Sequence, residues 1–425
     1  MATRASKRRK VKSNETSNGL PSPEERVFPT DASVPTTRED RLKWQGFCEI
    51  ENDPAFFNTM LQDFGVTGVK VQEVFGLDEA LLCMLPKPVY GLIFLFRYKE
   101  DDFLETDAIC PEHVWFANQT TGNACATVAL LNIVMNIPDA DLGPNLSSFK
   151  SFTRDFTPAL RGDQIQNYNF VKNVHNSFAR KIDMMNIDLK MQDDAKAGKA
   201  KTKAAKNASS SDDAAFHFIA FLPIAGSVWK LDGLDRQPQK LHDLEADEDW
   251  LQSLAPNLQA RMAQYEEGDI EFGLLSLVKD PRIELKQQLV QNIKSIQTCE
   301  ERLTQIKPTW REFAMAGDSS EENLIAGPSS DYSIGAHDIR VATVPPSFEK
   351  RVKADDDPTT LIDARQKLVM EQAGLRAALR DEEQVAAADR EKAESRRYDY
   401  GPFVQTWLRM LAESGTLRTL IEDVG

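Results

Sequence analysis

The segment Gln119-Thr120-Thr121-Gly122-Asn123-Ala124-Cys125-Ala126-Thr127 runs into Val128-Ala129-Leu130-Leu131-Asn132-Ile133-Val134-Met135-Asn136, which is almost entirely apolar and of helical length. A helix that is apolar all round is buried, so this stretch predicts a helix inside a sizeable core. The turn of Thr, Gly and Asn before it puts Cys125 at the helix start, with Asn123 as the N-cap and Ala124 and Cys125 as the first helical residues. A thiol there faces unpaired backbone N–H groups and the positive end of the helix dipole. Both favour the thiolate, which is the nucleophilic form. Gln119, six residues earlier, carries an amide that can reach back to the same spot as an oxyanion donor.

A lone cysteine opening an apolar helix is more often a small core residue. To act as a nucleophile Cys125 needs a base, and the base needs an orienting group. Both occur together further on. Ala215-Phe216-His217-Phe218-Ile219-Ala220-Phe221-Leu222 patterns as a strand, Pro223 to Ser227 as a turn, and Val228-Trp229-Lys230-Leu231-Asp232 as a second strand. A hairpin centred on Ile224–Ala225 sets His217 across from Asp232, where facing Cβ atoms are ~5 Å apart. An imidazole beside a carboxylate on a rigid hairpin is an oriented general base. His175 is a rival, but its helix carries Val171 and Phe178 on neighbouring turns and offers no partner carboxylate. It reads as packed or hydrogen-bonded.

These residues resemble the ubiquitin C-terminal hydrolase family, whose catalytic triad is papain-like. The likeness lies in Gln119 followed by Asn123-Ala124-Cys125-Ala126-Thr127, in Phe216-His217-Phe218, and in Leu231-Asp232-Gly233-Leu234. It implies Cys125 as nucleophile, His217 as general base and acid, and Asp232 as the group that orients His217. Gln119 would line the oxyanion hole with the backbone N–H of Cys125. Ubiquitin is the implied partner, and neither cofactor nor metal is needed.

The rest of the chain fits a reducing compartment. Its 5 cysteines are scattered without a CxxC pair, which argues against a disulfide scaffold or a zinc site. No apolar run of ~18 residues occurs, so no membrane span is expected. The basic N-terminus lacks the apolar core of a secretory signal. A net charge of −15 argues against direct nucleic-acid binding and suits a basic or neutral protein partner.

The expected organisation is a disordered tail at 1–40, a catalytic domain at 41–280, long helices at 281–397 and a C-terminal helical motif at 398–425. In the tail, Lys7-Arg8-Arg9-Lys10-Val11-Lys12 reads as a nuclear-localisation signal. Trp44–Ile50 is strand-like, and Gly91–Arg97 reads as a central strand buried on both faces. Residues 186–214 lack apolar periodicity and are expected to form a flexible crossover loop beside the cleft. The helix beginning at Asp280-Pro281 carries Leu285, Leu289, Ile293, Ile296, Leu303 and Ile306 at seam spacing. A mobile linker is expected at 317–346, then a second helix from Pro358 to Arg397 with Leu361, Leu368, Leu375 and Leu379. The two helices read as an antiparallel pair, or as a surface for a partner helix. Phe403, Trp407, Met410 and Leu411 form one apolar stripe near the C-terminus.

The expected fold class is therefore α/β, a papain-like cysteine peptidase with a mostly antiparallel central sheet flanked by helices, followed by an all-helical extension. The C-terminal motif resembles a domain of the two longer branches of the family, which docks on a DEUBAD-type activator. One branch works at the proteasome with a ubiquitin receptor. The other removes ubiquitin from chromatin with an Asx-like protein. The segment Val174–Arg180 and the short linker resemble the proteasomal branch, whereas the basic cluster suits the chromatin branch. The expectation is a deubiquitinase of nucleus and cytoplasm, proteasomal in preference to histone-directed. A ubiquitin-binding scaffold with dispensable catalysis is the alternative from another class.

Overall fold

The computed structural model of the chain describes residues 34–97, 109–200, 216–266, 272–311 and 324–424. The basic cluster at 7–12 and the second half of the crossover segment lie outside them. The described residues divide into two compact units, one within Thr37–Tyr398 and a smaller one that joins residues 34–36 to those from Asp399 onward.

The larger unit begins with α1 (Arg38–Lys43), whose N-terminus is closed by a reciprocal pair of bonds between Thr37 and Asp40. In α2 (Pro54–Phe64), Asp53 caps the first turn and Pro54 sits at its start, while Gly65 at φ +83° ends it. The face of α2 carrying Phe57, Met60, Leu61 and Phe64 is buried. Strand β1 (Val69–Glu73), the short helix α3 (Glu79–Cys83) and strand β2 (Val89–Arg97) follow. Trp44–Ile50, expected as a strand, buries Trp44, Phe47, Cys48 and Ile50 without joining a ladder. Side chains take the place of a neighbouring strand: Asn176 Oδ1 accepts from the Cys48 N–H at 3.2 Å, and His175 Nε2 bonds the Cys48 carbonyl at 2.7 Å.

Next come α4 (Cys125–Val134), α5 (Gly143–Phe152), α6 (Pro158–Asn167), α7 (Asn169–His175) with a 3₁₀ turn over Asn176–Phe178, and α8 (Lys181–Ala200). The last corrects an expectation. The crossover segment is helical through Ala200 rather than a loop, because Lys, Met, Gln and Ala are good helix formers even without an apolar stripe. Its base is anchored, with Met184 buried and Asp188 Oδ1 accepting from Trp44 Nε1 at 2.9 Å.

Strands β3 (Phe216–Ile224), β4 (Ser227–Leu231) and β5 (Gln239–Asp243), helix α9 (Trp250–Glu266) and strand β6 (Gly273–Lys279) complete a six-stranded sheet. Its order is β1-β6-β2-β3-β4-β5, and every neighbouring pair is antiparallel. One face carries Ile93, Phe218, Ala220 and Leu222 and packs in the cluster that holds α4 and α2. The other carries Leu92, Phe94, Ile219 and Phe221 and packs with Leu251, Leu254 and Leu258 of α9. Strand β2 is thus buried on both sides, as its unbroken apolar run predicts. Gly91 in it is required by contact: a Cβ there would lie 2.8 Å from Ile133 of α4.

Helix α10 (Pro281–Ile306) then pairs antiparallel with a 40-residue helix, Pro358–Arg397. Leu289, Ile293 and Leu379 close one end of the seam, and Cys299, Leu303 and Leu361 the other. Between the apolar layers sits a buried amide pair, Gln372 Nε2 donating to Asn292 Oδ1 at 3.2 Å. The mobile linker expected at 317–346 is, in its described part, a turn and the helix Ala336–Val341 packed on α10 through Tyr332, Ile334 and Ile339. The helix Pro346–Ala354 follows.

The second half of the long helix leaves α10 and lies along α2. Ala393 is fully buried in the main core, and Asn58 Nδ2 donates to Asp389 Oδ2 at 2.8 Å. Arg396 donates to the Phe178 carbonyl at 2.9 Å and pairs with Glu51 at 2.7 Å and Asp183 at 3.2 Å. The helical hairpin is therefore part of the same compact body as the sheet.

In the smaller unit, the helices Gly401–Glu413 and Thr416–Val424 meet at Ser414-Gly415. Asp399 Oδ2 accepts from the backbone N–H and the hydroxyl of Thr36 at 3.0 and 2.9 Å. Phe403, Trp407 and Met410 are all more than half exposed. Among the described residues, no helix is long and apolar enough to cross a membrane.

Candidate active site

Cys125 is the first residue of α4 and is half-buried, while the rest of that helix is sealed in the core. The cap differs from expectation. Asn123 lies in the left-handed region at φ +61°, which asparagine tolerates. Ala124 holds the N-cap position, and no side chain caps this end. The first amides of α4 thus have no side-chain cap of their own.

His217 stands near the start of β3, 4% exposed, with Phe96 of β2 as its ladder partner. The edge of its ring meets Phe96 at a centroid distance of 5.8 Å. The hairpin turn is Ala225-Gly226, both residues at positive φ, so Ala220 pairs with Leu231 and Ile224 with Ser227. This is a tight two-residue turn, one residue later than the expected centre, and Asp232 falls just past the last pair. Its side chain nonetheless reaches His217: Nε2 and Oδ1 are 2.7 Å apart. With Nε2 committed to Asp232, the other ring nitrogen is the one left for the thiol, and Cys125 is a hydrogen-bonding and electrostatic neighbour of the imidazole.

The charges are set by this contact. Burial pushes the imidazole pKa down, but the bond to Asp232, the bond to Cys125 and the charges of both override it and hold His217 at about 9. Burial pushes the Asp232 carboxyl up, yet His217, the nearby Lys230 ammonium and the Leu234 N–H bring it below the ordinary aspartate value. The Leu234 N–H donates to the same Oδ1 at 3.0 Å. Asp232 is thus an ionised carboxylate with a fixed orientation.

Gln119 joins the group through its backbone and its amide. Its N–H donates to the Gly233 carbonyl at 2.8 Å, directly after Asp232. Its Nε2 donates to Thr121 O at 3.1 Å, in the turn before Cys125, and its Oε1 is buried without a hydrogen-bond partner. Gly233 permits this approach, since a Cβ on it would lie 3.0 Å from Gln119 Cβ. The structure therefore brings Gln119, Cys125, His217 and Asp232 to one place.

His175 is elsewhere and fully buried. Its Nδ1 and Nε2 bond the Thr127 hydroxyl and the Cys48 carbonyl, each at 2.7 Å. Burial pushes its pKa down to about 4, the Cys48 bond opposing only in part. It is a neutral structural histidine.

Three residues of the site escaped sequence reasoning. Lys230 is 1% exposed, with Nζ 3.0 Å from Asp235 Oδ2 and 3.6 Å from Asp232 Oδ2. Asn118 Nδ2 donates to the carbonyls of Asp235 at 2.6 Å and Gly233 at 3.3 Å. Strand alternation puts Lys230 and Asp232 on one face, and that was the available signal.

A thiol at a helix start, an imidazole against it and a carboxylate behind the imidazole are the groups that a nucleophile, an acid–base partner and its orienter require. Residues 47–263, which contain all of these, match the family described as ubiquitin carboxyl-terminal hydrolase, family 1. The chain is 32% identical over 379 residues to ubiquitin carboxyl-terminal hydrolase isozyme L5 of Dictyostelium discoideum, covering 89% of this chain and 95% of that protein. It is 36% identical over 251 residues to ubiquitin carboxyl-terminal hydrolase ubh-4 of Caenorhabditis elegans, covering 58% of this chain and 71% of that one. Among solved structures, the Trichinella spiralis UCH37 catalytic domain bound to ubiquitin vinyl methyl ester aligns with a TM-score of 0.44 and 32% identity, over 55% of this chain and 96% of that one. With a site of this kind inside the matched segment, the chain belongs to the ubiquitin carboxyl-terminal hydrolase family and is a cysteine-type hydrolase.

Proposed function

We propose that the protein hydrolyses the bond after the C-terminal glycine of ubiquitin, with Cys125 as nucleophile, His217 as general base and acid, Asp232 as orienter and Gln119 as oxyanion donor. The observation that carries this reading is the His217–Asp232 contact with Cys125 against the same ring. His217 holds the thiol proton as imidazolium, and the thiolate attacks the scissile carbonyl. The oxyanion takes hydrogen bonds from the Cys125 backbone N–H and from Gln119 Nε2, which spends one proton on Thr121 O and keeps another. Imidazolium then gives its proton to the leaving amine. Water then attacks the resulting thioester with His217 taking its proton; the carbon–sulfur bond breaks, ubiquitin leaves as the carboxylate with one proton released to solvent, and the thiolate–imidazolium pair is restored. Turnover of a ubiquitin–fluorophore conjugate, lost in Cys125→Ala, is the test; a wild type as inert as the variant supports a scaffold instead.

The finer proposal is a role at the proteasome, in nucleus and cytoplasm, through the C-terminal helices. Support comes from the near full-length likeness to isozyme L5, and from Phe403, Trp407 and Met410 presenting an apolar stripe suited to a DEUBAD-type activator. Capture of the tagged protein from its own cells should recover proteasome regulatory-particle subunits, lost on deleting 398–425. An Asx-like chromatin protein recovered in their place would move the substrate to histone ubiquitin.

A further inference from the structure

Beneath Asp232 lies a second buried ion pair that the reaction does not consume. Lys230 has 2% of its side chain exposed, and its ammonium sits between two carboxylates, Asp235 at 3.0 Å and Asp232 at 3.6 Å. A buried lysine is costly unless paired, and packing alone would be met here by any long apolar side chain. Its neighbours define the field. Asp232 leads to His217 of β3 and through it to Cys125 of α4. Arg261 of α9 acts electrostatically on Asp235. Gln239, the ladder partner on β5, is uncharged. Asp235 is itself held in place, because the Asn118 amide binds its carbonyl and its own N–H donates to Asp232 O at 3.0 Å.

We infer that Lys230 is a positioning residue for the catalytic group, held by Asp235 so that its ammonium faces Oδ2 of Asp232, the oxygen that His217 does not bind. This rests on the reading of Cys125, His217 and Asp232 as that group. Lys230 touches no reacting atom and acts through the local potential. Its cation makes every ionisation to an anion in the cluster easier and every protonation to a cation harder, while Asp235 does the reverse. The two therefore set where on the pH axis the thiolate–imidazolium–carboxylate arrangement exists, and replacing each should move that window in opposite directions.

The test is the pH profile of kcat/KM on a ubiquitin–fluorophore conjugate, alongside the pH-dependent rate of Cys125 alkylation by iodoacetamide, read at that residue by mass spectrometry. Lys230→Met should translate both profiles to higher pH by less than about one unit, the low end of the effect of a charge in direct contact, because the ammonium acts from behind the Asp232 carboxylate. Asp235→Asn should translate them to lower pH, and Lys230→Arg should return them towards wild type. Damage to packing lowers the plateau without moving the limbs. Coincident profiles, or shifts of the same sign in Lys230→Met and Asp235→Asn, overturn the inference. If Lys230→Met does not fold, the direction of the Asp235→Asn shift decides alone. Failure of the wild type to turn over ubiquitin would instead strike at the proposed function, and the alkylation profiles would still report on Lys230.

Discussion

His217 Nε2 and Asp232 Oδ1 lie 2.7 Å apart, although the ladder partner of His217 is Phe96 and Asp232 follows the last paired residue of its own strand. The carboxylate reaches the ring because the chain leaves the sheet at Leu231 and turns, and the Leu234 N–H then fixes the same oxygen. Orientation of the imidazole thus depends on the short loop Asp232–Asp235 and on what holds it, namely Gln119, Asn118 and Lys230.

Asp232→Asn should lower kcat by about two to four orders of magnitude, the range typical of an acid–base contribution. The amide cannot supply the charge that stabilises imidazolium. Steady-state kinetics on a ubiquitin–fluorophore conjugate measures this. A variant within a few-fold of wild type would mean that the contact is ornamental.

Protonation of His217 should stabilise the fold. Its pKa in the fold, about 9, lies above the value near 6.5 of a free histidine. Such a group contributes fully below ~6.5 and loses its contribution as pH rises through the folded pKa. The difference in unfolding free energy between wild type and His217→Gln should therefore be largest in mild acid and shrink towards strong base. A gap that grows with pH contradicts the assignment.

His175 predicts the opposite dependence. Its pKa in the fold is about 4, below the free value, so its contribution is complete above ~6.5 and is lost as pH falls through 4. Wild type should lose stability on acidification more steeply than His175→Gln. That variant, once folded, should keep turnover within about tenfold, because His175 takes no part in proton transfer. Loss of turnover to the level of Cys125→Ala would reinstate it as a base.

Arg396 joins the long helix to the body of the fold at three acceptors, Phe178 O, Glu51 and Asp183. Arg396→Ala should cost about 1–3 kcal/mol, the usual range for a lost charged hydrogen-bond donor in a part-buried site. Chemical denaturation gives the number. No measurable loss would show that the helix is held by its apolar contacts, Ala393 among them.

Those features that depend on neighbours in sequence were legible in it. Cys125 announced itself through an apolar helix and the turn before it, and His217 and Asp232 through two alternating strands. What failed needed information from elsewhere in the chain. Asn123 was expected to cap α4, but the turn uses its tolerance for positive φ instead. Trp44–Ile50 has the composition of a strand, yet Asn176 and His175, far along the chain, satisfy its backbone. Lys230 was hidden because a lysine in a strand normally marks the solvent face, and only the fold reveals two carboxylates around it. The long helix showed its leucines, while nothing local marks the polar Arg365, Gln372 and Arg376 between them as buried. The helix Lys181–Ala200, which takes in the first part of the crossover segment, carries no periodic signal at all and follows from propensity and an anchored base.

The proposed reaction requires that one particular thiol attack the ubiquitin C-terminus. Ubiquitin carrying a C-terminal vinyl methyl ester, incubated with the protein and digested for mass spectrometry, tests it directly. Of the cysteines, Cys48 and Cys299 are buried, while Cys83, Cys110 and Cys125 are reachable to differing degrees. Ubiquitin is expected on Cys125 alone, with the adduct absent in Cys125→Ala and slowed in Asp232→Asn. An adduct on Cys83 or Cys110, or none on the wild type, would contradict the proposed reaction.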